Sequence, residues 1–205
     1  HLNDQPAFGA EPCHISLDSK GRMAFIANYT TGNVAAYPLL DDDRLGTVTD
    51  SRQHTGSSVN ERRQEGPHAH CVMPSPDDRF LYAVDLGIGR VKAYEIDYRN
   101  EKLVPRPASD GVLEPGAGPR HIAFPPDGGH AYVIEELNSG VTAFRVDPGT
   151  GGLSFLQHIP TVPADFEGTN YCADIHVSGD GKFLYGSNRG HDSLVIYAID
   201  EQTGR

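Results

Sequence analysis

The sequence predicts an all-β fold, a β-propeller of four-stranded antiparallel blades with about four blades in this chain. Four segments share one order of strands and turns, their starts lie about 50 residues apart, and helical periodicity is absent throughout. Four antiparallel strands in a unit of this length are typical of one propeller blade. We therefore expect residues 1–205 to form a single propeller region, with blades that start near 13, 70, 120 and 173.

Each repeat opens with a short apolar strand, A, which is followed by a turn rich in Pro, Asp and Gly. A strand of the type "FLYAVD", B, comes next. After a polar, glycine-rich turn such as "ELNSG" comes strand C, which alternates with period two, as in "RVKAYEI". A less regular strand, D, follows, as in "KLVPRPA" and "GLSFLQHIP". A β-sandwich with chance internal similarity is the alternative, and the recurring order of turn, aromatic pair and glycine break makes it the weaker one.

The two ends of the chain do not complete a blade. The fourth repeat has no D strand before Arg205, and the segment "HLNDQPAFGA" precedes the first A strand. That segment is either the D strand of a further blade or a strand that closes the fourth blade, and the sequence leaves both open. We therefore expect the propeller region to be incomplete, with exposed blade faces that favour self-association.

The composition excludes several classes of partner. The formal net charge is −11 and no basic patch is visible, so we expect no nucleic acid partner. No apolar run reaches the ~20 residues of a membrane span, so we expect no membrane partner. Cys13, Cys71 and Cys172 form neither a disulfide framework nor a zinc pattern, and we interpret them as small buried residues in a reducing compartment. With no leader peptide visible, this predicts a cytoplasmic protein. We also expect no cofactor.

Blade geometry should bring residues from all four repeats together. Strands A to D alternate in direction and A lies nearest the axis, so the first residues of A and the last residues of B collect around one mouth of the central channel. A purely structural repeat would fill equivalent positions with similar residues. Here successive blades differ at these positions, which predicts a functional site. The residues are Cys13, His70, Arg120 and Ala173, then His14, Cys71, His121 and Asp174 in strand A, and Asn28, Asp85, Glu135 and Asn188, then Tyr29, Leu86, Glu136 and Arg189 at the end of strand B.

The set His70, Arg120, Glu136 and Arg189 offers a titratable base, a carboxylate and two fixed cations. Arginine pairs bidentately with carboxylate or phosphate and keeps its charge. We therefore expect a small anionic substrate with a carbonyl group, whose oxyanion one arginine stabilises. His70 or Glu136 would orient or deprotonate a water. The predicted catalytic residues are His70, Glu136 and Arg120, and the predicted substrate-binding residues are Arg189, Arg120, His14, Asn28, Asp85 and Asp174.

Plainer interpretations exist for the same residues. A histidine in a Pro- and Asp-rich loop is usually only a polar loop residue, and Glu135 and Glu136 could be solvated turn charges. His68 and His70 could point the same way on a strand as two ligands of a metal ion. However, transition metals take three or four ligands, and Arg120 would repel a cation, so we expect no metal site.

Three segments resemble a known family, and they are "RQEGPHAHCVMPSPDDRFLYAVDLG", "GAGPRHIAFPPDGGHAYVIEELNS" and "ADIHVSGDGKFLYGSNRGHDSL". They are similar to the corresponding segments of the seven-bladed propeller lactonases. That family includes the bacterial propeller-type 6-phosphogluconolactonases and the fungal carboxy-muconate cyclases. The resemblance extends from Glu11 to Ile199 and implies that this chain is part of a seven-bladed ring.

The resemblance implies a lactonase that hydrolyses 6-phospho-glucono-1,5-lactone to 6-phosphogluconate without a metal, in the oxidative pentose phosphate route. The expected partner is thus a small anionic sugar lactone. Two alternatives stay open, a muconate-type lactonising cyclase and a non-catalytic propeller scaffold that binds peptides or proteins. In the cyclase branch the catalytic group is a His, an Arg, a Glu and a second Arg, which by motif match His70 in "HAHCV", Arg120 in "GPRH", Glu136 in "EELNS" and Arg189 in "SNRG".

Overall fold

The computed structural model describes residues 1–205, and it contains four antiparallel sheets that follow one another along the chain. Blade 1 consists of β1 (Pro12–Leu17), β2 (Met23–Asn28), β3 (Asn33–Pro38) and β4 (Asp50–Gln53). Blade 2 consists of β5 (Ala69–Pro74), β6 (Phe80–Asp85), β7 (Arg90–Asp97) and β8 (Lys102–Pro105), with the short β9 (Gly111–Val112) also paired to β7. Blade 3 consists of β10 (Pro119–Ala123), β11 (His130–Glu135), β12 (Gly140–Val146) and β13 (Leu153–Pro160). Blade 4 consists of β14 (Tyr171–Val177), β15 (Phe183–Arg189) and β16 (Ser193–Ala198).

The predicted fold class is confirmed. Each sheet orders its strands as they occur in the sequence, and the innermost strands of successive blades are neighbours. The expected absence of a fourth strand in blade 4 is also observed. The only helical segment is a 3₁₀ turn, Pro107–Ser109, and no helix has the length and apolar character required to cross a membrane.

The core of the protein lies between the blades. Phe25 and Leu81 belong to the cluster between blades 1 and 2, Tyr82 and Phe144 to that between blades 2 and 3, and Leu184 to that between blades 3 and 4. A strand with a blade on each side is covered on both faces, and all six residues of β6 and of β11 are therefore buried. This packing fixes the end of each B strand, where the predicted site residues lie.

The N-terminal segment, residues 1–10, forms no strand, so both expectations for it are wrong. It lies against blade 1, where the hydroxyl of Tyr37 donates to the carbonyl of Pro6 and the amide of Asn33 donates to that of Phe8. Pro6 has no N–H for a ladder hydrogen bond, and Phe8 has a φ of 54°, which is outside the extended region. The backbone carbonyls of this segment therefore accept hydrogen bonds from side chains of blade 1 and not from a neighbouring strand.

The two end blades expose apolar side chains on the faces that have no neighbouring blade. Ile15 and Leu17 of β1 are 57% and 54% exposed, and Leu194 and Ile196 of β16 are 69% and 59% exposed. Residues that alternate with them, such as Tyr197, pack toward the adjacent blade. The exposed blade faces expected from the sequence are thus present, and self-association through them stays a prediction.

Candidate functional site

A β-bulge aims the predicted site residues in every blade. The register of the first strand pair shifts between Pro12 and His14 in blade 1, and between Ala69 and Cys71 in blade 2. It shifts between Pro119 and His121 in blade 3, and an equivalent irregularity follows Cys172 in blade 4. His70 and Arg120 are therefore the extra residues of their bulges, and bulges commonly redirect a side chain next to a functional site.

Glu136 is the centre of the site. It follows β11 directly, its side chain is only 7% exposed, and three guanidinium groups surround its carboxylate. Nη2 of Arg63 lies 2.5 Å from Oε1, and Nε of Arg120 and Nη2 of Arg189 lie 3.0 and 2.9 Å from Oε2. Burial by itself would raise the pKa of Glu136, but the hydrogen bond and charge of Arg63, with the charges of Arg189 and Arg120, outweigh burial and hold this pKa below its ordinary value. Glu136 is therefore an ionised carboxylate and a poor proton acceptor.

Arg63 is a member of the site that the sequence analysis missed. It lies in the long connection between β4 and β5, which folds over the channel mouth, and its Nη2 also donates to the hydroxyl of Tyr29 at 3.3 Å. The turn that holds Arg63 is fixed by Gln64, which is fully buried and donates from Nε2 to the carbonyl of Leu86. The length of this connection was the only sequence signal available, because the loop lies outside the repeated strands.

His70 lies beside these arginines and is neutral. Burial, and then the charge of Arg120, lower the pKa of its imidazole from 6.5 to about 3. Its ring makes an edge contact with the ring of His121, with centroids 5.3 Å apart, and another with Tyr29 at 5.5 Å. Its Nδ1 is buried and has no hydrogen-bond partner. The structure thus brings His70, Arg120, Glu136 and Arg189 together, as the sequence predicted.

Two further predicted residues lie on the neighbouring inner strands. His14 contacts the ring of His121 at 5.3 Å, and burial, with the charge of His121, lowers its pKa to about 4. Asp174 accepts hydrogen bonds from Nδ1 of His121 and Nε2 of His176, each at 2.8 Å. These bonds outweigh the effect of burial and lower the pKa of Asp174 to about 2. Asp174 is an exposed, ionised side chain, and it orients His121, whose Nε2 accepts a hydrogen bond from Arg120.

Asn28 and Asp85 are placed differently from what was expected of substrate-binding residues. Both are fully buried. The amide of Asn28 donates to the carbonyl of Ala7, and Asp85 accepts backbone N–H groups on one oxygen while Nδ1 of His54 lies 2.6 Å from the other. The end of a B strand must satisfy the polar groups of the adjoining turns, and these two side chains do so instead of reaching the channel mouth.

The remaining expectations near the site differ in outcome. The ring nitrogens of His68 face the carbonyl of Tyr29 and the carboxylate of Glu65, so His68 does not pair with His70 as a ligand. Cys71 and Cys172 are buried as expected, but Cys13 is exposed because it lies on the innermost strand of an end blade. No group of three or more His, Cys, Asp or Glu side chains is arranged to hold a metal ion.

Comparison with known proteins gives one consistent family. A family model described as "Lactonase, 7-bladed beta-propeller" matches residues 1–205. A 6-phosphogluconolactonase of Bacillus subtilis (strain 168) is 36% identical over 211 residues, which cover 99% of this chain and 57% of that protein. A 6-phosphogluconolactonase of Formosa agariphila is 30% identical, over 99% of this chain and 58% of that protein. The chain thus spans somewhat more than half the length of these relatives.

Solved structures agree with this family. A putative 6-phosphogluconolactonase from Bacteroides fragilis has a TM-score of 0.89 and 34% identity, and the match covers 100% of this chain and 57% of that one. A periplasmic gluconolactonase from Pseudomonas aeruginosa has a TM-score of 0.87 and 37% identity, over 95% of this chain and 55% of that one. One of these neighbours is named as periplasmic, so the cytoplasmic localisation stays a prediction.

Proposed function

Because this chain belongs to the family of seven-bladed β-propeller lactonases, we propose that it hydrolyses a phosphorylated sugar lactone, 6-phospho-glucono-1,5-lactone, to 6-phosphogluconate. The observation that carries the proposal is the convergence of three guanidinium groups on Glu136 in a protein whose net charge is −11. One carboxylate balances only one of these three positive charges. The ionised Asp174 balances a second, and His70 and His14 are neutral, so the site keeps a local excess of about one positive charge for an anionic substrate.

The proposed reaction divides the chemistry between His70 and Arg120. A water held by His70 attacks C1 of the lactone, and its proton passes to the imidazole as the C1–O bond forms. Arg120 stabilises the negative charge that develops on the carbonyl oxygen. It does so with Nη2, which donates to no protein group. The ring C1–O bond then breaks, the ring oxygen takes the proton, and the open-chain acid leaves.

His70 is assigned as the base because Glu136 is unsuited to that role. Both oxygens of Glu136 accept charge-assisted hydrogen bonds from guanidinium groups, so neither is free to hold a water and accept its proton. The imidazole of His70 is neutral at pH 7, and its Nε2 has no hydrogen-bond partner in the protein and, unlike the buried Nδ1, is accessible to a water. A negatively charged substrate beside His70 raises the pKa of the ring, which makes it a better proton acceptor in the complex than in the free protein. Arg189, which is half-exposed, contributes to substrate binding from the solvent side.

The test is turnover by the intact protein. Freshly prepared 6-phospho-glucono-1,5-lactone, unphosphorylated glucono-1,5-lactone and a carboxy-muconate are compared, and the spontaneous opening of each lactone is subtracted. The proposal requires hydrolysis of the phosphorylated lactone above the spontaneous rate. Three guanidinium groups also suit a tricarboxylate, so lactonisation of the muconate with no lactone hydrolysis would assign the cyclase activity instead. Absence of turnover in every arm would refute both.

A further inference from the structure

A second polar cavity adjoins the site and shares one residue with it. Its volume is about 360 Å³, and it lies between the connection before β5, the turn between β11 and β12, and the connection before β14. Arg63 forms part of its wall, together with Asn60, Asn138, Thr169 and Tyr171. Because Arg63 is also bonded to Glu136, one guanidinium group faces both the cavity and the channel mouth.

Arg63 has more unused hydrogen-bond donors than the other two arginines. Both of its hydrogen bonds use Nη2, so Nε and Nη1 have no protein partner, and its side chain is 35% exposed. Arg120 donates from Nε and Nη1, and Arg189 donates from Nε and Nη2, so each of these keeps only one free nitrogen. The Nε and Nη1 hydrogens of Arg63 are separated by Cδ, so each is a separate charged donor that can bind one oxygen of a carboxylate or a phosphate.

The other side chains of the cavity supply uncharged hydrogen-bonding groups. Asn138 and Thr169 are exposed and make no side-chain hydrogen bond within the protein. An amide N–H and a hydroxyl are donors to phosphoryl oxygens and to sugar hydroxyl groups. None of the cavity residues is acidic, so the positive charge of Arg63 is not balanced there except by Glu136 on its far side.

We propose that this cavity is the subsite for the phosphoryl group of the substrate, and that the charge and the two free donors of Arg63 determine the preference for phosphorylated over unphosphorylated lactones. The assignment rests on the proposed lactonase function and extends it. The lactone carbonyl lies at His70 and Arg120, and the phosphoryl group enters the adjoining cavity, where Arg63 binds it and Asn138 and Thr169 donate to its oxygens. In this arrangement Arg189 mainly holds Glu136 and the lactone ring, and it contributes less than Arg63 to the preference.

The test compares kcat/KM for 6-phospho-glucono-1,5-lactone and for glucono-1,5-lactone in the intact protein and in variants. Arg63→Gln removes the charge and the free guanidinium donors, and Asn138→Asp places a negative charge in the cavity without touching the channel mouth. Each is expected to lower the ratio of the two kcat/KM values by about 10- to 100-fold, through KM of the phosphorylated substrate. Arg62→Gln is the matched control, because Arg62 is the neighbouring exposed arginine and its side chain makes no hydrogen bond. It is expected to leave the ratio unchanged.

Three outcomes would overturn the subsite. They are an equal loss for both substrates in Arg63→Gln, an unchanged ratio in Asn138→Asp, and a fall of the ratio in Arg189→Gln that exceeds the fall in Arg63→Gln. Calorimetric titration with 6-phosphogluconate and gluconate separates this proposal from the proposed function. Tighter binding of the phosphorylated acid that Arg63→Gln abolishes supports the subsite even in a protein that hydrolyses neither lactone. Equal binding of the two acids by the unmodified protein contradicts it.

Discussion

Glu136 accepts hydrogen bonds from three guanidinium groups, and its charge is what allows them to lie so close together. A buried ionic group whose partner is removed leaves uncompensated charge, which costs more than the pair contributed. Glu136→Gln keeps the shape of the side chain but leaves Arg63, Arg120 and Arg189 to repel one another. We expect the folded protein to lose about 1–3 kcal/mol of stability, which lowers Tm by several degrees in a chain of this size.

An anion should restore part of that loss, because it takes the place of the missing carboxylate. Thermal unfolding of Glu136→Gln with and without phosphate measures this, and the rise in Tm with phosphate should exceed that of the unmodified protein. Glu114→Gln, a change at an exposed turn carboxylate, is the control and should behave like the unmodified protein. A Tm equal to that of the control, or no response to phosphate, contradicts the role given to Glu136.

The lowered pKa of His70 predicts how activity depends on pH. Its neutral form is the active one, so activity is lost only as pH falls through the pKa of the folded protein, which is about 3. The kcat/KM for unphosphorylated glucono-1,5-lactone should therefore be flat between about pH 5 and pH 7, in contrast to an imidazole with the ordinary pKa of about 6.5. The unphosphorylated lactone is the substrate to use, because a phosphoryl group titrates near pH 6. An acid limb centred near pH 6.5 would show that the ring is not buried as described.

Removal of the imidazole tests the catalytic assignment directly. His70→Gln should lower kcat by about 10²–10⁴, the usual contribution of a general base. The matched control is His68→Gln, two residues earlier, whose ring faces the carbonyl of Tyr29 and Glu65 instead of the arginines. A comparable fall in both variants would indicate a disturbed loop instead of a lost base.

The connection between β4 and β5 is the element that completes the site, and a close backbone contact positions it. A Cβ atom at Gly87, in the turn after β6, would lie 1.9 Å from the carbonyl oxygen of Gly66, so Gly87→Ala must displace this connection. Arg63 and His70 flank the contact in sequence, and we expect kcat/KM for the phosphorylated lactone to fall by at least about 10-fold. Gly66→Ala is the control, because a Cβ at Gly66 has no atom within 4 Å and should be tolerated. Turnover measures the activity of both variants, and limited proteolysis measures whether the connection is displaced. Equal activity and equal proteolysis of the two variants would argue against this positioning.

The same element shows which features were predictable from the sequence. Strand bounds agreed with the repeats because alternation and turn residues act locally, and His70 and Glu136 occupy repeated positions whose place in a blade is fixed. Arg63 belongs to no repeat, so only the fold of its loop brings it to Glu136. Asp85 occupies a repeated position, but its side chain is directed inward by backbone N–H groups that the sequence does not reveal. Spacing along the chain therefore predicts which strand end a residue occupies, but not whether its side chain is exposed there.

At the scale of the whole molecule, the apolar outer faces of the two end blades predict self-association. Their outer faces expose Ile15, Leu17, Leu194 and Ile196, each more than half exposed. Apolar patches of adjoining strands favour association, and burial stabilises by about 25 cal/mol per Å² of apolar surface. We expect the 205-residue chain to associate in a concentration-dependent manner, and we expect Leu194→Lys combined with Ile196→Lys to shift it toward the monomer. Sedimentation velocity over a range of concentrations measures both.

A lone exposed apolar residue provides the control for that experiment. Val59 is 67% exposed in the connection before β5, away from either blade face. Val59→Lys adds a positive charge with equal exposure but removes no blade-face contact, so it should leave the association unchanged. If Val59→Lys shifts the protein toward the monomer to the same extent as the Leu194→Lys and Ile196→Lys variant, net charge governs association. Each added lysine alters a net charge of −11. A monomer at every concentration in the unmodified chain would show that these faces are too small or too polar at their margins to bind one another.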